Sequence, residues 1–112
     1  MSESGQDLFI ELRDKQQSLE TALGELGKRG RAKSAAEQDY RIALAQKILK
    51  EREKGTPVTI ISDVCRGDRE IARLKFDRDV AEVMFSAAME AIQTYKLGIR
   101  MLDAQITREW HS

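Results

Sequence analysis

Residues 69–110 read REIARLKFDRDVAEVMFSAAMEAIQTYKLGIRMLDAQITREW. Apolar residues recur in it at Ile71, Leu74, Ala81, Phe85, Ala88, Ile92, Tyr95, Ile99, Leu102 and Ile106. Arg78 stands in one of the places of this series and Glu109 closes it. The alternating steps of three and four are the a and d spacing of a heptad, which lays one stripe along an α-helix. No proline interrupts the run, and Gly98 is the only glycine beyond Gly67. The stretch therefore predicts one long helix over about 68–110, with Asp68 as its N-cap. A second apolar set, Phe76, Val80, Val83, Met84, Ala87 and Ala91, lies beside the first. A two-helix seam needs only the a and d sites, so the added width implies a further packing partner. That partner is either another helix of this chain or a second copy.

Upstream lies the connector GTPVTIISDVCRG, residues 55–67. Thr59 can cap a short helix over about 59–66, and Gly67 can end it. Ile60, Ile61 and Val64 are too apolar for a bare loop and are expected to plug the end of a bundle. Lys54-Gly55, with Pro57 beyond, reads as the stop of a preceding helix.

That preceding segment spans about 7–54. Leu12, Leu19 and Leu26 repeat every seven, beside Leu8, Phe9 and Leu23, and Ser4 with Asp7 makes a start signal. Glycines at 24, 27 and 30 then intervene, each costing about 1 kcal/mol in a helix interior. Ser34-Ala-Ala-Glu37 matches a capping box, which favours two helices of about 20 residues. Counting by sevens from Leu12 reaches Lys33, Tyr40 and Lys47, so the phase survives the glycines and favours one helix bent at 24–33. The expected fold is all-α: a single domain over 1–112, built as an elongated antiparallel helical hairpin. A lone hairpin would leave wide apolar faces wet. The expectation is therefore a homodimer forming a four-helix bundle, with Phe76, Val80, Met84 and Phe85 at the interface or in the core adjoining it.

Composition narrows the function classes. A length of 112 residues is one domain's worth of chain. One Cys cannot make an internal disulfide, and one Cys plus one His falls short of the four ligands of structural zinc. One proline and 5% aromatics disfavour a strand-and-turn fold. No run approaches the roughly 18 apolar residues of a membrane span. The leading MSESGQDLFIELRDK is acidic where a signal peptide is basic, so a cytoplasmic location is expected.

Chemistry finds few footholds. Cys65 has only His111 as a prospective base, close to the last residue, and reads better as a small buried core residue. The Ser and Asp residues have no second His from which to build a triad. The Glu-x-x-His motif of di-metal bundles is missing. Arg66-Gly67-Asp68 reads as a helix stop and a helix cap rather than an adhesion signal. No catalytic, metal or cofactor-binding residue is expected, and the chain reads as non-enzymatic.

Charge is more informative. There are 19 basic and 19 acidic residues, a net charge of zero that argues against a general polyanion binder. The zero is an average: 1–27 carry −4, 28–54 carry +5 and 55–112 carry −1. Lys28, Arg29, Arg31 and Lys33 form a cluster without an acid. Three readings compete: a nucleic-acid patch, a solvated face, and pairing with the acidic 1–27 segment of a second subunit. Exposed aromatics interleaved with these cations, which single-strand binding uses, are missing.

The stretch YRIALAQKILKEREKGTPVTIISDVCRGDREIARLKFDRDVAE, residues 40–82, with the later YKLGIR and TREW segments, resembles a group of small all-helical proteins from bacteriophages and prophages of Gram-positive bacteria. The resemblance implies an all-helical fold and a place among early replication and recombination genes. It supplies no catalytic or binding motif to carry over. The expected role is a phage-type helical interaction or assembly protein with a protein partner. The alternative is an accessory nucleic-acid-binding protein using the basic cluster.

Overall fold

A computed structural model describes residues 5–111 of the chain. Three helices make up almost all of it: α1 (Gly5–Glu53), α2 (Val58–Gly67) and α3 (Arg69–His111). No strand occurs among the described residues, and the fold is all-α. Ser4, the expected start signal, lies outside the described residues.

α1 runs unbroken through its glycines. The capping box is not used, because Ser34 lies well inside the helix. A capping serine needs an extended backbone, whereas apolar residues in one heptad phase before and after Ser34 keep it helical. Its would-be partner Glu37 instead bonds Arg41 one turn on, at 2.7 Å. Gly30 has a packing reason: a Cβ there would sit 3.4 Å from the Phe85 ring.

The end of α1 follows from Gly55, whose φ of 82° is left-handed. The Gly55 N–H donates to the Arg52 carbonyl and the Thr56 N–H to the Glu51 carbonyl, both at 3.0 Å. This pair is the Schellman closure. α2 then begins one residue before the expected cap, with Pro57 leading in and the Ile60 N–H bonding the Pro57 carbonyl at 3.0 Å. Thr59 is thus inside α2 and caps nothing, because proline's fixed φ already starts the turn.

Asp68 serves two helices. Its extended backbone ends α2, and its N–H donates to the Cys65 carbonyl at 3.1 Å. Its own carbonyl accepts the Ala72 N–H at 2.9 Å, and its side-chain Oδ2 accepts the Ile71 N–H at 3.1 Å. It is the N-cap expected for α3. The Ile71 N–H holds the Asp68 carboxyl below the usual aspartate range, with help from Lys47, whose Nζ lies 3.6 Å away.

The chain divides into two compact units, Met1–Lys28 with Ser86–Ser112, and Arg29–Phe85. In the first, α1 and α3 run antiparallel, and Leu8, Leu102 and Ile106 form a buried cluster with Leu12 against it. In the second, α1 and α3 are again antiparallel: Gly30 meets Phe85, Glu37 meets Arg78 and Lys47 meets Asp68. Ile61, Cys65 and Ile71 are buried there. Ile60, expected as part of the plug, is exposed, because Ile61 and Cys65, one turn apart, take the inner face of α2.

Candidate interaction groove

The second unit carries an apolar face that is exposed among the described residues. Phe76, Val80, Val83 and Met84 follow one another at i, i+4, i+7 and i+8 on α3, which places them on one side. All four are exposed, Phe76 at 65% and Val83 at 66%. The second apolar set read from the sequence thus faces outward at these positions. Phe85, on the adjacent a/d stripe, is half-buried in the core beside this face, with the Lys33 Nζ 5.1 Å from its ring centroid.

Beside this stripe lies an open groove of about 640 Å³. Its α1 wall is Tyr40, Leu44, Ile48 and Arg52, a run of four-residue steps that aligns them on one face. α2 contributes Val58, Ile61, Ser62, Cys65 and Arg66, and α3 contributes Ile71, Ala72, Lys75, Phe76 and Asp79. Cys65 is 2% exposed and is the small core residue expected of it. Phe76 also lines a second hollow with Arg29, Ala32, Asp77, Val80, Ala81 and Met84. The two hollows share Phe76 and lie to either side of it on α3.

The groove has an apolar floor and a charged rim in which cations outnumber carboxylates: Arg52, Arg66 and Lys75 against Asp79. Lys75 lies 3.4 Å from Asp79, and Arg66 donates to Ser62 at 3.2 Å. Two hydrogen bonds from Arg78, at 3.0 and 3.2 Å, hold the Asp79 carboxyl below its usual range, and the same bonds push the Arg78 guanidinium up. Arg78 also lies over the Tyr40 ring at 4.6 Å and within 3.6 Å of Glu37. The arginine that breaks the apolar series is thus a polar tie between α1 and α3 in this unit.

The basic cluster does not present one surface. Arg29 and Lys33, one turn apart, are half-buried, while Arg31 is exposed about 160° around the helix from Lys33. Lys28 is exposed and belongs to the other unit. No group of three or more His, Cys, Asp or Glu is placed to hold a metal among the described residues. None of the helices is long and apolar enough to cross a membrane.

The rim cations Arg52 and Lys75 were not singled out as a pair by the sequence reading. The α1 wall follows the spacing 40, 44, 48, 52. The α2 and α3 walls join it only through the Gly55 turn and the Asp68 joint. Comparison of the chain with family models, curated proteins and solved structures finds no match.

Proposed function

We propose that this chain is a non-enzymatic, phage-type helical interaction or assembly protein of the host-cell cytoplasm that acts as a homodimer through the Phe76–Met84 face, its α1 and α3 helices pairing into a four-helix bundle. The observation that carries this reading is the exposure of Phe76, Val80, Val83 and Met84 in one stripe beside an open apolar groove. Contiguous exposed apolar surface on a small protein marks a binding face. The resemblance of residues 40–110 to helical phage and prophage proteins is the ground for a phage-type source and carries no role of its own. Sedimentation tests it: wild type should sediment as a dimer at tens of micromolar. Val80→Glu with Val83→Glu should sediment as a monomer with its helical circular dichroism intact. A double variant that dimerises like wild type overturns the assignment of this face.

The surplus of basic residues in Arg29–Phe85, 13 against 10 acidic, supports a second reading as an accessory nucleic-acid-binding protein. Steep salt dependence of DNA binding, lost on Lys28, Arg29, Arg31 and Lys33→Ala, would establish it, and no binding at about 50 mM salt would exclude it.

A further inference from the structure

We infer that the basic groove of one copy seats the acidic N-terminal half of α1 from a second copy. This rests on the homodimer reading above and adds which surface meets which. The first argument is charge. The Arg29–Phe85 unit carries 13 basic and 10 acidic residues, a net charge of +3. The Met1–Lys28 and Ser86–Ser112 unit carries 6 and 9, a net charge of −3. Within α1 the imbalance is sharper: residues 5–25 hold Asp7, Glu11, Asp14, Glu20 and Glu25 against Arg13 and Lys15. The groove rim of Arg52, Arg66 and Lys75 with Asp79 is its electrostatic complement.

The second argument is shape. The groove is open and runs between α1, α2 and α3. Along α1, from Tyr40 to Arg52, it runs about 18 Å, at 1.5 Å per residue. That is a bed for a helix rather than a bounded chamber for a small molecule. The third argument is apolar supply. Ile10, one turn from both Asp7 and Asp14 on α1, is about half exposed, so an apolar anchor accompanies the acids. In a two-fold dimer each copy gives one groove and one acidic half, so the contact is made twice.

Charge reversal on the full-length chain tests this. One variant reverses the rim, Arg52→Glu with Lys75→Glu, and the other reverses the acidic half, Glu11→Lys with Asp14→Lys. Each alone faces like charge with like and should weaken self-association at least about tenfold. An equal mixture of the two should restore dimers, because both contacts are again between opposite charges. A single chain carrying all four changes should also dimerise, which guards against loss of folding in either variant. Wild-type self-association should weaken as salt rises. Reversed variants that dimerise like wild type overturn this docking while leaving a homodimer standing. A mixture that stays monomeric, with both variants helical by circular dichroism, also overturns it. A wild type that is monomeric throughout overturns this docking and the homodimer together.

Discussion

The two units are built from the same pair of helices and solve the packing problem differently. In the first, the stripe positions are apolar: Leu8 and Leu12 on α1 meet Leu102 and Ile106 on α3. In the second, three stripe positions are cations, Lys33, Lys47 and Arg78. Each has a partner within the unit: Phe85 for Lys33, Asp68 for Lys47, and Glu37, Tyr40 and Asp79 for Arg78. Large apolar side chains there stand outside the stripe, on the exposed face of Phe76, Val80, Val83 and Met84. Both units show apolar surface outward, Met101 and Trp110 in the first among them, but only the second spends seam positions on charge. The difference lies in the seam: apolar contacts join the helices in the first unit, and ion pairs and ring contacts share that task in the second.

The largest effect should come from breaking the apolar seam. Leu102→Ala removes a buried side chain from the Leu8 cluster and should cost about 2–5 kcal/mol in urea unfolding. Leu49→Ala, on an exposed part of the second unit, should cost well under 1 kcal/mol. Equal losses at the two sites would erase the contrast between the units. Next in size is Arg78→Glu, which sets a third carboxylate beside Glu37 and Asp79. It should lower Tm clearly. Arg78→Leu, which restores an apolar stripe residue, should be tolerated.

A smaller effect of opposite sign is expected at Gly24. It lies in a helix interior, and a Cβ there meets nothing within 4 Å. Gly24→Ala should stabilise by about 0.5–1 kcal/mol, and destabilisation would show that the glycine is needed as a bend. The smallest effect is the acid limb. The Asp68 and Asp79 carboxyls are held below their usual range by hydrogen bonds from the Ile71 N–H and from Arg78. A depressed carboxyl adds stability above its ordinary pKa, about 3.9, and loses it as pH falls through the lower folded value. Urea midpoints should therefore fall as pH drops below about 4. Asp68→Asn keeps a capping side chain and should make that limb shallower.

Much of the fold was legible because its decisive signals are local. The Ile71–Ile106 periodicity, the Asp68 cap and the Gly55 stop each act within a turn or two of chain, and each stands where the sequence places it. The signals that misled are also local but were overruled by packing. Ser34-Ala-Ala-Glu37 has the residues of a capping box, but the helix continues through it and Glu37 turns to Arg41 and Arg78. Thr59 has the chemistry of a cap, but Pro57 starts α2 earlier. Ile60 has the apolarity of a plug, but helical phase turns it outward. The groove was the least legible part. Its walls come from three helices, and its rim cations, Arg52, Arg66 and Lys75, are dispersed in the sequence among residues that pair along their own helices.

The most direct test of the outward-facing Phe76–Met84 stripe is the mass of the wild-type chain in solution by light scattering at tens of micromolar and low salt. A homodimer gives about 25 kDa, twice the 12.7 kDa of one chain. A mass of 12.7 kDa at every concentration would contradict it.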